Sequence, residues 1–459
     1  MTAKKSLSVF TLAMLITGSI DSIRNLPATA MFGSSLIFFF VLSIIVFLIP
    51  AGLVSAELSS VRNLQQGIYG WVRSAFGIHV GILAIWLQWI NTMVWYPTIL
   101  SFIAGTLAFL INPKLANNPY YLISVILVVF WSQTFLSLRG IQTSARFASF
   151  CAVFGMLVPM AAIIIMALIW VFSGNPLYVH FAANTIIPHL SSSDSWISLT
   201  AIMTSFLGME LASVHVNNIE KAQQKFPRAL VLSIFLIAIT MIAGALAIAV
   251  VLPENQIQLV DGVMQAFTSF LEVYHLSWAI PILAVMLLIG SVGGMINWII
   301  SPAKGLLQAA DDNYLPHYFR KLNKNGVATR ILITQAILVT LLCAVFFLMP
   351  SVNGSYWLLT DLSTQLYMVM YVLMFASAFC LEWRLKQRDL SFNVPGGKFG
   401  MGFLCVLGLI GTAITLVVGF FPPSNIDVGS ALHYETLFIS GMIIMILPVL
   451  GFYIYRARN

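Results

Sequence analysis

Apolar residues run along this chain in blocks of about 20, separated by short polar stretches. A block of that length spans a hydrocarbon core of about 30 Å as a helix, whereas a membrane β-barrel alternates in segments of about 10. The pattern predicts twelve spans, at residues 7–32, 36–56, 80–111, 120–136, 147–172, 196–215, 229–252, 278–310, 331–349, 356–381, 402–421 and 436–455. The predicted fold class is an all-α polytopic membrane protein. The run at 80–111 is longer than such a core requires and is expected to tilt or break. Residues 262–274, after Pro253-Glu254-Asn255, mix apolar and polar positions and predict a short helix over the outer face.

Two spans are interrupted. Span 1 contains Gly18-Ser19-Ile20-Asp21-Ser22-Ile23-Arg24-Asn25-Leu26-Pro27, and span 6 contains Ser205-Phe206-Leu207-Gly208-Met209-Glu210. Both place charge and helix-loosening residues in mid-membrane, where charge is costly unless it faces protein or a water-filled cavity. Discontinuous helices at corresponding places in two halves of a chain point to a transporter's substrate site. The spans divide as five plus five plus two, with a single transmembrane domain made of residues 1–173, an inverted repeat at 196–383 and two further helices at 402–456.

Composition agrees: 60% of the chain is hydrophobic and 8% is charged. The net charge of +7 suggests nucleic acid, but no basic domain stands clear of the membrane. With the N-terminus inside, all but Lys114 and Arg24 of the 22 Lys and Arg fall on the cytoplasmic side. Asp194, Glu254, Asp261, Glu272, Asp361, Asp427 and Glu435 fall on the other. That bias orients both termini to the cytoplasm. Lys4 and Lys5 before an apolar stretch resemble a signal peptide, but cleavage would discard Asp21 and Arg24. Cys151, Cys343, Cys380 and Cys405 lie in or beside apolar runs and read as packing residues. No hydrolytic triad, zinc spacing, phosphate loop or repeated selectivity segment is evident, so neither an enzyme nor a channel is expected, and no cofactor.

An unwound span exposes C=O groups that suit an ammonium and N–H groups that suit a carboxylate. The candidate substrate contacts are Ser19, Ile20, Asp21, Ser22, Ile23 and Arg24 in span 1, and Thr204, Ser205, Leu207 and Gly208 in span 6. Asp21 and Arg24 are three apart, so they either pair on one helix face or leave one of them to the substrate. A free Arg24 would favour an anionic side chain. Glu210 is a candidate proton carrier or gate, or else a partner for Arg24 or a buried hydrogen-bond acceptor. His215 reads as a pH sensor or a polar helix end. Trp298 walls the site or packs in the core, and the same choice holds for Trp86, Trp89 and Trp95. Gly293 and Gly294 permit close helix approach. Lys304 snorkels or pairs near the inner face.

The stretch Gly208-Met209-Glu210-Leu211-Ala212-Ser213-Val214-His215-Val216-Asn217, with Lys225-Phe226-Pro227-Arg228-Ala229, resembles the G-x-E…N-P-x-x-x-P-R-A motif of amino acid permeases in the amino acid–polyamine–organocation (APC) superfamily. Further matches run from Gly293 to Gly305, through Asn313-Tyr314-Leu315-Pro316 and Asn323-Lys324-Asn325-Gly326-Val327, at Phe392-Asn393-Val394-Pro395-Gly396-Gly397-Lys398 and at Phe420-Phe421-Pro422-Pro423-Ser424-Asn425-Ile426. Together they look most like the glutamate/γ-aminobutyrate antiporter branch. The resemblance implies a twelve-helix LeuT-like fold with an inverted repeat, in a bacterial inner membrane. It implies an amino acid held at the breaks in spans 1 and 6 and moved by alternating access, commonly by sodium-independent exchange; proton symport is the alternative. It also implies that Glu210 and Trp298 belong to the site or its gates. The chain departs from the pattern at Asp21-Ser22-Ile23-Arg24, where small residues are usual, and at Thr204, where a gating aromatic is usual. A monomer or homodimer is expected.

Overall fold

The computed structural model describes residues 8–61, 67–140, 145–188, 193–213, 221–293, 295–311, 316–384 and 391–458. The described residues are helical, apart from turns and one isolated bridge between Leu322 and Ala328. In chain order the main helices are α1 (Val9–Ile20), α2 (Leu26–Ala30), α3 (Gly33–Ser60), α4 (Gly67–Phe76), α5 (Ile78–Ile111) and α6 (Pro119–Leu138). There follow α7 (Phe150–Phe172), α8 (Ser193–Ser205), α9 (Met209–Ser213), α10 (Ala222–Val251), α11 (Gly262–Val273) and α12 (Ile280–Gly293). The last six are α13 (Met295–Asp311), α14 (Thr329–Leu348), α15 (Val352–Arg384), α16 (Gly397–Val418), α17 (Ala431–Ile446) and α18 (Pro448–Arg458).

Among the described residues, ten helical stretches are long and apolar enough to cross a membrane. The apolar segments at Val9–Gly18 and Trp196–Leu211 fall short of that length. They belong to the two spans in which the sequence carries its interruptions. Large apolar side chains such as Phe172, Tyr120, Phe399 and Ile443 lie on the outside of the bundle, as a lipid-facing surface requires.

Local sequence explains the irregularities. Pro50 and Pro159 cannot donate to the carbonyls four residues earlier, those of Val46 and Gly155. Each proline follows a five-residue π-turn, at Ile44–Leu48 and Val153–Leu157. In each case the loosened turn meets a glycine of another helix. An ideal Cβ on Gly411 would lie 2.9 Å from the Val46 carbonyl oxygen, and one on Gly290 would lie 2.5 Å from Gly155 Cα. Gly293 leaves room for Cys151 in the same α7–α12 contact. The α5 helix carries Pro97 internally yet runs unbroken for 34 residues. Its length of about 51 Å at 1.5 Å per residue requires tilt, so of the two outcomes expected for this segment the break does not occur.

One end of the bundle holds the end of α18, the α4–α5 junction, the end of α15 and the start of α10. There Tyr453 donates to the His79 carbonyl (2.8 Å), Arg384 to the Ala75 carbonyl (2.8 Å) and Gln223 to the Asn393 carbonyl (2.7 Å). At the opposite end α11 buries Val263, Met264, Phe267 and Phe270 and packs Gly262 against Pro27. Two of the acids that the sequence places on the outer side are buried. Asp261 is buried beneath this segment against Gly105. Asp361 is buried within α15 and accepts from Tyr434 (2.7 Å) and Gln365 (2.9 Å). The Asp361 carboxylate reaches a neighbouring helix that hydropathy does not reveal, whereas Asp261 Oδ1 has no hydrogen-bond partner.

Candidate functional site

Both interruptions are real gaps in helical geometry. After Ile20 the chain is extended, with ψ 129° at Asp21 and φ −152°, ψ 118° at Ser22. It resumes as a single 3₁₀ turn at Ile23–Asn25 whose N-terminus has no side-chain cap. The second gap lies between α8 and α9, where Gly208 takes φ +95°. Only glycine adopts that conformation without strain, so the residue fixes the place of the gap.

The two gaps face one cavity of about 510 Å³. Gly18, Ile20, Asp21, Ser22, Ile23 and Arg24 line it from the first gap, and Thr204, Ser205, Leu207, Gly208 and Glu210 from the second. The opposite wall is α5 with Gln88, Trp89, Asn91 and Trp95, and α13 with Trp298. Gly67, Ile68 and Trp71 of α4 and Lys304 of α13 also line it. The Ser19 side chain and the whole of His215 lie outside the described residues.

Asp21 and Arg24 do not form an ion pair among the described residues, because the chain unwinds between them and three-apart no longer means one face. Asp21 turns to α10, where the Thr240 hydroxyl donates to Oδ2 at 2.8 Å. Arg24 turns to α5, its guanidinium carbon 4.2 Å from the centre of the Trp95 ring. Trp95 packs in turn on Trp298, with ring centres 5.5 Å apart. Trp298 is 38% exposed and is one of the residues that line the cavity. Of the other tryptophans, Trp89 lines the cavity while Trp86 bonds the Met445 carbonyl and packs on Phe452.

Glu210 is buried and acts as a hydrogen-bond acceptor. Gln88 donates to Oε1 at 3.0 Å, Tyr367 donates to the same oxygen and Tyr371 donates to Oε2. The Tyr371 hydroxyl also accepts from the Gly208 N–H at 3.2 Å. One carboxylate thus braces α15 and α5 against the α8–α9 gap. Thr204 adds a second tie, 2.6 Å from the Thr364 hydroxyl of α15. Ser205 is buried and bonds only the Ala201 carbonyl of its own helix among the contacts described. Gln88, Thr240, Tyr367 and Tyr371 were not singled out from sequence. Gln88 alone carried a signal, as an amide within the apolar run of α5; the partners of all four lie more than 100 residues away in the chain.

A bundle of membrane-length helices around a cavity, with two helix gaps and their charged residues facing it, defines a membrane carrier. The chain belongs to the amino acid permease family of the APC superfamily, whose family model matches residues 7–448. It is 38% identical to an uncharacterised transporter of Legionella pneumophila, over 97% of this chain and 96% of that one. It is 27% identical to a glutamate/γ-aminobutyrate antiporter of Lactococcus lactis, over 99% of this chain and 92% of that one. A probable agmatine/putrescine antiporter of the same species is 23% identical, over 91% and 89% of the two chains.

Proposed function

We propose that this protein exchanges amino acids across a bacterial inner membrane by alternating access, without sodium, and that its substrates carry an anionic side chain. The observation that carries this reading is Arg24, a guanidinium on the wall of the cavity between the two gaps, with no acidic partner among the described residues. The end of α1 leaves carbonyls for an ammonium, and the uncapped turn at Ile23–Asn25 leaves N–H groups for an α-carboxylate. Arg24 is then available for a second carboxylate, which a guanidinium holds in bidentate fashion. The relatives fit a division by charge. Those named for agmatine/putrescine and for arginine/ornithine exchange are 23–24% identical, and a cavity cation disfavours such cationic substrates. The relative named for glutamate/γ-aminobutyrate exchange matches nearly end to end.

In this reading the two short apolar segments complete their spans through the gaps, giving twelve in a five-plus-five inverted repeat with two further helices and both termini in the cytoplasm. The cavity then opens inward. Purified protein in liposomes is expected to take up labelled acidic amino acid, faster when the lumen holds unlabelled amino acid and unchanged when choline replaces sodium. Flat uptake across a full amino acid panel by folded protein would overturn the proposal.

A further inference from the structure

Two carboxylates line the cavity, and they are held very differently. Glu210 receives hydrogen bonds from three side chains spread over both oxygens. Asp21 receives one, from Thr240 to Oδ2. Its Oδ1 has no hydrogen-bond partner; the adjoining Ser22 N–H approaches the carboxylate without making a bond of ordinary geometry to that oxygen. Asp21 is 3% exposed.

The surroundings supply no counter-ion. Arg24 lies over Trp95. The α10 helix has no charged residue between Arg228 and Val251, and α7 has Cys151 as its one titratable residue. Glu210, Lys304 and Tyr367 are the other titratable groups on the cavity wall, each on an element other than that of Asp21. A carboxylate offers about four acceptor positions. Three donors make Glu210 a fixed brace. One donor, at the negative end of α1, leaves a charge on Asp21 poorly supported. No surface of Oδ1 is open to anything as large as water. An ammonium group, a metal ion or the water that delivers a proton therefore reaches it only when the gap moves, and of these a proton alone adds no bulk once the packing around Oδ1 closes again.

We propose that Asp21 is a proton-binding site, and that substrate movement is coupled to protons through Asp21 rather than through Glu210. When the gap beside α1 opens to water on one side, an O–H bond forms at Oδ1 with a proton taken from that water, which is left as hydroxide or, from hydronium, as water. The bond breaks and returns the proton to water on the other side when the gap beside α1 rearranges; no other bond changes. This deepens the transporter reading and rests on it.

The test follows luminal pH with a trapped dye in liposomes while labelled acidic amino acid enters, giving protons moved per substrate. For wild type a proton accompanies the substrate. For Asp21→Asn the ratio falls to zero, read on whatever substrate flux remains. For Glu210→Gln the ratio is retained on a lower flux, since a brace has been weakened. Thr240→Val covers the case in which Asp21→Asn does not fold. It removes the donor to the charged form, so the pH midpoint of coupled uptake moves upward. A wild type that moves substrate without protons, an Asp21→Asn that keeps the ratio, a Glu210→Gln that alone loses it, or an unmoved midpoint in Thr240→Val would overturn the site. Wild-type vesicles that take up no amino acid overturn the transporter reading and the site with it.

Discussion

At the scale of single residues, the cavity is organised by a few polar groups whose replacement has graded consequences. Tyr371 donates to Glu210 and accepts from Gly208, whereas Tyr367 shares its Glu210 oxygen with Gln88. Tyr371→Phe is therefore expected to cost more than Tyr367→Phe, about 1–3 kcal/mol for the bonds lost to a charged acceptor. Thermal melting in detergent ranks the two, and the reverse order would contradict the bracing role of Tyr371. Asp261, outside the spans, has its carboxyl pushed from 3.8 up to about 7 by burial. Its folded state binds a proton more readily than its unfolded state, so its contribution is fully present below about pH 4 and is lost as pH rises toward 7. Asp261→Asn is expected to raise the melting temperature at pH 7.5 or above and to change it little at pH 4. Equal shifts at both values would show that the carboxyl is not sequestered.

At the scale of elements, the gaps and glycine contacts decide the geometry. Gly208→Ala forces a Cβ into a left-handed conformation, costing about 1–2 kcal/mol, and displaces the N–H held by Tyr371. Exchange is expected to fall more than stability does. Gly155→Ala places a methyl 2.1 Å from Gly290 Cα, between two backbones that cannot yield cheaply, whereas Gly451→Ala meets nothing within 4 Å. The first is expected to lower the melting temperature strongly and the second to leave it within experimental error. Both gaps were legible in the sequence, because Asp21, Arg24 and Gly208 stand out against apolar neighbours. The α5 length and the short helix of α11 were legible from hydropathy. The orientation of Asp21 and Arg24 was not, because spacing on a helix says nothing once the chain unwinds. The Glu210 brace was not legible either, because Gln88, Tyr367 and Tyr371 meet only in the folded bundle.

At the scale of the whole molecule, ten helical stretches of membrane length among the described residues surround a cavity, and in the proposed function the charges on its wall select the substrate. Arg24 lies over Trp95, which packs on Trp298, and in the proposed function it reads an anion; Glu210 holds the wall together and Asp21 caps the end of α1. A ligand that binds the folded state raises its melting temperature, so a panel of amino acids screened against purified wild type and Arg24→Gln reports directly on this arrangement. Acidic amino acids are expected to stabilise the wild type most. Arg24→Gln is expected to lose that preference, with affinity for acidic substrates falling roughly 10- to 100-fold, in keeping with a charged hydrogen bond of about 1.5–3 kcal/mol. An unchanged preference for acidic amino acids in Arg24→Gln, or no stabilisation of the wild type by any amino acid, would contradict this role of Arg24.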